Sequence, residues 1–211
     1  MSFLLRVALP DVPGALGTVA SAIGTAGANI EAIEIVEHRD DGSAVDDVLL
    51  ELPTGVMPDS VVSACHLLDG VEVLWISRYV VGGNLQLDLE AVEALTEEPK
   101  AAVTHLVDLL PTVFRAEWGA LLEPDGDAAR VVNATSAAPG LEHLAGSWVR
   151  LDQPTRLEML DAGVATLVVG APVGAHGRSV VMGRRGGPEF LDSELARLAH
   201  LAALAATIAR G

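Results

Sequence analysis

The sequence has few basic residues, a single cysteine and no long apolar run. Thirteen Lys and Arg residues against 29 Asp and Glu residues give a formal net charge of −16. Such a charge repels the phosphate backbone that supplies most of the affinity for nucleic acids. The densest basic stretch, residues 183–186, is too short to follow several phosphates and is interpreted as a solvated turn. We therefore expect no nucleic-acid partner.

The shortage of cysteine and of apolar runs excludes two further classes of protein. Cys65 cannot form a disulfide within the chain, and its place on an apolar helix face favours a buried, unreactive thiol. No apolar run approaches the roughly 20 residues that cross a bilayer, so we expect no membrane partner. Residues 1–14 lack the basic segment, apolar run and cleavage site of a secretory signal. The expected location is the cytoplasm.

The motifs of common catalytic and cofactor sites are also missing. There is no Gly-x-Ser-x-Gly elbow, no Gly-Lys-Ser/Thr phosphate loop and no Gly-x-Gly-x-x-Gly after a strand. The six histidines are isolated, and none has a His or Cys at the spacing of a metal site. His176 has no acidic partner that the sequence can identify, and the pairs Asp46-Asp47 and Glu97-Glu98 are interpreted as solvated carboxylates. We expect no catalytic residue, no metal and no cofactor, and so no enzyme.

Residues 1–79 alternate between strand and helix patterns. Strands are predicted at residues 3–9, 29–38, 45–52 and 71–79. Helices are predicted after the Asp-Val-Pro-Gly turn at residues 11–14 and from Pro58. The order β-α-β-β-α-β is that of the split βαβ unit, in which one face of the sheet carries both helices. The other face and the edge strands would stay open to a partner.

A composition break at residues 80–84 suggests a linker over residues 80–88 and a second domain over residues 89–211. Helices are expected at residues 89–95, around 106–110 and at 154–160, with a long one at 192–209. Strands are expected at residues 118–122, 130–134, 165–169 and 179–183. The chain is thus predicted to be of the α+β class. The last helix has two apolar stripes, which suit either the core of its own domain or a second subunit equally well.

The first domain resembles an ACT domain. The resemblance is carried by Asp-Val-Pro-Gly-Ala-Leu at residues 11–16 and Gly-Ala-Asn-Ile at residues 27–30. It implies a ferredoxin-like fold, side-by-side pairing into a homodimer, and binding of an amino acid or related small molecule between protomers. The ligand-binding residues predicted on this basis are Asp11, Val12, Pro13, Gly14, Ala15, Leu16, Asn29 and Ile30.

The chemistry of these residues suits an amino acid. The first turn of a helix presents free N–H groups and partial positive charge, so Gly14, Ala15 and Leu16 can bind a carboxylate. Gly14 allows close approach to the backbone, Asn29 can donate and accept hydrogen bonds, and Asp11 can receive an ammonium group. An alternative needs no ligand: Asp11 caps the helix, Gly14 permits the turn and Asn29 takes a left-handed conformation.

The second domain is similar to a GAF-type sensor domain. The similarity lies in residues 183–190, Gly-Arg-Arg-Gly-Gly-Pro-Glu-Phe, followed by Glu194, Leu195 and the terminal helix. No motif for a cyclic nucleotide, haem or bilin is present. Trp148, Arg150 and Arg178 are the pocket candidates, because an aromatic wall beside a cation is a common pocket composition. The alternative is a core Trp with surface Arg side chains, none of which contacts a ligand.

Together these features predict a non-enzymatic regulatory protein. It would bind an amino acid or similar small molecule at an ACT dimer interface. Because no catalytic or DNA-binding unit is recognisable, the signal would pass to an unidentified protein partner. The alternative is a scaffold whose two domains only assemble subunits and bind no small molecule.

Overall fold

The computed structural model describes residues 1–78, 83–126, 128–140, 150–157, 166–175, 177–186 and 188–211. The chain divides into two compact units, Met1–Gly83 and Asn84–Gly211. Each unit has one antiparallel sheet, of four and five strands respectively, and helices. The predicted α+β class is confirmed.

The N-terminal unit has the predicted βαββαβ order. Its elements are β1 (Ser2–Pro10), α1 (Ala15–Thr25), β2 (Asn29–His38), β3 (Ser43–Glu51), α2 (Pro58–His66) and β4 (Glu72–Arg78). The sheet order is β2-β3-β1-β4, so the long strands β1 and β3 are central and β2 and β4 form the edges. Strand β2 therefore has one side without a partner strand among the described residues.

The core of this unit lies between the two helices and one face of the sheet. Val19 and Ile23 of α1 and Val61 and Cys65 of α2 are buried there. Their spacing of four residues places each pair on a single helix face. Burial raises the pKa of the Cys65 thiol because the thiolate loses its hydration. The predicted buried, unreactive thiol agrees with this environment.

The edge strands depart from simple alternation. The β1–β4 pairing shifts after Arg6, which pairs with Trp75, whereas Val7 pairs with Val73. After this bulge the side chains of β4 that point to the core change from odd-numbered to even-numbered positions, so that both Val73 and Ile76 pack on the core.

The C-terminal unit packs helices against one face of a five-stranded sheet. Its helices are α3 (Gly83–Glu97), α4 (Ala102–Val113), which a 3-10 turn (Pro99–Ala101) precedes, and α5 (Asp192–Ile208). Its strands are β5 (Trp118–Asp125), β6 (Ala128–Ala134), β7 (Thr155–Leu157), β8 (Thr166–Val173) and β9 (Arg178–Arg185), in the sheet order β6-β5-β9-β8-β7. The largest buried cluster joins α3, α4, α5 and strands β5, β8 and β9.

Two sequence predictions in this part of the chain need correction. Residues 83–88, assigned to the linker, belong to helix α3; residues 79–82 lie outside the described residues. The helix predicted at residues 154–160 is wrong over residues 155–157, which form strand β7; residues 158–160 lie outside the described residues. Thr155 pairs with Gly170 and Leu157 with Val168, so backbone pairing with β8 decides the conformation there.

Most apolar positions of α5 face the core of its own unit, whereas Leu204 is half-buried and does not belong to the core cluster. Leu198, Ala202 and Ala205 are fully buried, Leu201 is also buried, and Ile208 packs against the same cluster. The positions that remain exposed carry small or polar side chains. They are Asp192, Ser193, Ala196, His200, Ala203 and Thr207. The structure thus favours the core interpretation of this helix over the subunit interface.

Candidate functional site

The turn between β1 and α1, together with the first two residues of α1, contains six of the eight predicted ligand-binding residues. The Asp11 N–H donates to the Gly42 carbonyl at 3.0 Å, and the Val12 N–H donates to the Pro10 carbonyl at 2.9 Å. Gly14 is the N-cap at φ 95°, so the helix begins at Ala15, after the proline rather than with it. This left-handed conformation favours glycine, because any Cβ is strained there.

The N-terminus of α1 has no side-chain cap and no acidic residue in its first turn. The Ala15 N–H donates to the Val12 carbonyl at 3.2 Å, so it is not the free donor that the sequence predicted. Among the described residues, the Leu16 and Gly17 N–H groups have no backbone acceptor. The partial positive charge of the helix end is therefore uncompensated by a local carboxylate.

In the alternative without a ligand, Asp11 was expected to cap α1 and Asn29 to have a left-handed backbone. Neither is observed. The Asp11 carboxylate lies 3.0 Å from Nδ1 of His38 instead of capping the helix. Asn29 is the first residue of β2, and the left-handed conformation belongs to Gly27 at φ 88°. Both Asp11 and Asn29 are exposed. Their polar groups remain accessible to another molecule.

The surface around Gly14 is open. A Cβ built on Gly14 meets no atom within 4 Å. Val12 is 58% exposed, and Pro13 beside it is exposed as well. A ligand or a second chain can therefore reach the backbone at this turn.

Asn29 and Ile30 lie at the other end of α1. Asn29 pairs with Glu51 at one end of β3, whereas His38, which contacts Asp11, pairs with Ala44 at the opposite end. The eleven residues of α1 span about 16 Å. One chain therefore does not bring Asn29 and Ile30 next to residues 11–16.

The interpretation of Asp46 and Asp47 as a solvated pair is wrong. Asp46 is 2% exposed, and its Oδ1 atom has no hydrogen-bond partner among the described residues. Burial raises the pKa of the Asp46 carboxyl, the charge of Asp11 raises it further and His38 opposes them. The sequence contains a signal for this burial that was missed. Alternate residues of a strand share one face of the sheet, so Asp46 lies on the same face as the core residues Val48 and Leu50.

Residues 183–186 do not form a solvated turn either. Arg184, near the end of β9, is buried, donates to the Phe114 carbonyl at 2.9 Å and to Glu194 Oε1 at 2.7 Å, and stacks 3.8 Å above the Phe190 ring. Glu194 Oε2 in turn accepts the Leu191 N–H at 2.9 Å. These residues connect the end of β9 to the start of α5. Their contacts fix the position of the first turn of α5.

The pocket candidates of the C-terminal unit are described in part. Trp148 lies outside the described residues. Arg150 is exposed and Arg178 is half-buried, and both line a cavity of about 430 Å³ together with Glu123 and Pro124. The two arginines that the sequence singled out therefore lie at one cavity.

The family model of the ACT domain matches residues 3–55. Residues 3–55 are therefore similar to ACT domains. The matched part includes β1, α1, β2 and β3, and with them all the predicted ligand-binding residues. ACT and GAF domains are regulatory, small-molecule-sensing domains.

Solved structures with a similar fold include GAF domains. The GAF domain of a phosphoenolpyruvate-protein phosphotransferase from Acinetobacter is 10% identical over 60% of this chain and 92% of its own, with a TM-score of 0.46. The corresponding domain from Coxiella burnetii is 15% identical over 63% and 96%, with a TM-score of 0.47. Free methionine-R-sulfoxide reductase from Neisseria meningitidis, solved with its substrate, is 9% identical over 64% and 93%, with a TM-score of 0.51. At these identities the similarity concerns the fold alone.

The remaining comparisons are negative. No curated protein matches the chain. Within the part of the chain that the structure describes, no three His, Cys, Asp or Glu side chains are grouped so that they could hold a metal ion. Within the same residues, no helix combines the length and the apolar composition that crossing a membrane requires.

Proposed function

We propose that the chain is a regulatory protein that binds an amino acid or a similar small carboxylate between two ACT domains. The bound state would be passed to a protein partner, and no catalysis is assigned to the chain. In this proposal the protein acts in the cytoplasm. The supporting observation is the open, uncapped N-terminus of α1 within the segment that matches the ACT family.

The charge arrangement around α1 suits a zwitterion. A ligand carboxylate would accept hydrogen bonds from the N–H groups of Leu16 and Gly17, where the helix carries partial positive charge. The ligand ammonium group would lie towards the exposed carboxylate of Asp11. Opposite charges at the two ends of the site would favour an amino acid over a simple monocarboxylate.

A second copy of the chain would bring Asn29 and Ile30 to the site, which one chain by itself does not. Strand β2 is an edge strand, and its Ile35 is 51% exposed. An exposed edge presents N–H and C=O groups to which another strand can pair. Pairing of two such units would let Asn29 and Ile30 of one protomer complete the site at residues 11–16 of the other.

The proposal is tested by calorimetric titration of the full chain with each of the twenty amino acids. We expect at least one to bind, and a ligand at 100 times its Kd should add about 2.7 kcal/mol to the free energy of unfolding. Glycolate and methylamine, which carry only one of the two charges, serve as controls and should bind more weakly. A screen that is silent for every amino acid would contradict the proposal and favour the scaffold without a ligand.

A further inference from the structure

The C-terminal unit contains a candidate site that is separate from the ACT domain. Its cavity of about 430 Å³ is lined by Glu123, Pro124, Arg150 and Arg178. Small-molecule sites in proteins have volumes of this order. The cavity is therefore large enough for a small organic ligand.

The hairpin between β8 and β9 fixes one wall of this cavity. Gly174 and Gly177 both have left-handed backbones, at φ 69° and 67°. A Cβ on Gly177 would lie 3.1 Å from Cγ of Pro124, and one on Gly174 would lie 3.9 Å from Nη2 of Arg178. The turn thus packs closely on Pro124 and on the guanidinium group. The backbone position of Arg178, the first residue of β9, is therefore fixed by this turn.

The charges at the cavity favour an anion. The Nε atom of Arg178 is buried and has no hydrogen-bond partner among the described residues. Arg150 brings a second, exposed guanidinium group to the same cavity. Among the described residues that line the cavity, the one carboxylate is Glu123, which already forms an ion pair with Arg130. Positive charge therefore remains available here, although the chain as a whole carries a formal charge of −16.

We propose that this cavity binds the anionic group, carboxylate or phosphate, of a small organic molecule. Arg178 provides a planar fork of N–H donors, which matches the two oxygens of either group. Arg150 adds charge at the open side.

The test is calorimetric titration of the full chain with inorganic phosphate and with succinate, at an ionic strength held constant with sodium chloride. We expect saturable binding of at least one anion, and the preferred anion identifies the ligand group as phosphate or carboxylate. Arg178→Gln should weaken this binding about tenfold or more, since hydrogen bonds to charged groups are the stronger kind. Arg150→Gln should weaken it several-fold. The control is Arg210→Gln, which removes an exposed arginine that contacts Thr207 and should change nothing.

Three results would overturn the proposal. The first is the absence of saturable binding of either anion by the unaltered chain. The second is equal anion affinity of the Arg150→Gln and Arg210→Gln variants. Because Arg150 is exposed, its replacement should not prevent folding, so this comparison tests the proposal even if Arg178→Gln does not fold. The third is loss of anion binding in Gly14→Val with retention in Arg150→Gln, which would move the anion to the ACT domain.

Discussion

Asp46 and Asp47 are neighbours on β3 with opposite surroundings. Asp46 is buried with an Oδ1 atom that no described residue hydrogen-bonds, whereas Asp47 accepts hydrogen bonds from Nε and Nη2 of Arg6 at 2.7 and 2.9 Å. Successive side chains of a strand point to opposite faces of the sheet. The same residue type therefore opposes folding at one position and supports it at the next.

We expect Asp46→Asn to stabilise the protein at neutral pH, by on the order of 1 kcal/mol, because it removes a buried charge whose Oδ1 lacks a partner. The native pKa of Asp46 is raised, so the native state binds its proton more tightly than the unfolded state. The cost of ionisation is thus fully present above the native pKa and disappears as the pH falls below the unfolded pKa. Urea unfolding at pH 7 and near pH 4 should show the gain of the variant shrinking in acid.

The neighbouring variant, Asp47→Asn, is the matched control for this prediction. It should destabilise the protein by about 2 kcal/mol or more, because it leaves the buried Arg6 guanidinium without its bidentate partner. Replacing both partners, Arg6→Met with Asp47→Leu, should recover much of that loss. If Asp46→Asn and Asp47→Asn change the free energy of unfolding alike, the opposite environments described for the two residues are wrong.

Gly14→Val should abolish binding of the amino acid found in the screen, because a branched side chain would cover the backbone that the ligand approaches. The substitution also strains the left-handed backbone, by about 1–2 kcal/mol. Gly55→Val is the control for that strain, since Gly55 has the same φ of 95° and the same open space around its Cβ position. Thermal unfolding should show similar losses in both variants, while calorimetry should show lost binding only in the first. Equal affinities in the two variants would move the site away from the β1–α1 turn.

Asn29→Ala should weaken the same binding by about 0.5–1.5 kcal/mol for each hydrogen bond lost. Because Asn29 lies at the far end of α1 from Gly14, the two residues should act from different protomers. A mixed dimer of Gly14→Val and Asn29→Ala chains would then contain one site with both native parts. Mixing the two purified variants should restore high-affinity binding at one site per mixed dimer. A site built within one chain predicts no restoration.

Ile35→Lys should shift the protein from dimer towards monomer, because it places a charge on the exposed edge strand β2. The control is Val132→Lys, which introduces the same charge at a 41% exposed position on β6, one of the two edge strands of the C-terminal sheet. Sedimentation equilibrium at micromolar concentrations checks both variants. A monomeric unaltered chain, or equal dissociation of the two variants, would argue against pairing through β2.

Local chemistry in the sequence was enough to predict several elements. The spacing of Val19 and Ile23 places both side chains on the buried face of α1, and that of Leu198, Ala202 and Ala205 does the same for α5. The predicted boundaries of β2 coincide with the observed ones. These features depend on residues close to one another in the chain, where helical and strand periods operate.

The sequence by itself thus determined the βαββαβ order, the α+β class and the turn of the candidate site. Only the tertiary structure decided that Asp46 is buried, that Arg184 holds the start of α5, that residues 155–157 are a strand, and that Asn29 lies far from Gly14. The physical reason is that these properties come from partners distant in the chain. Cross-strand pairing and the packing of helices on a sheet set them, and no local period records those contacts.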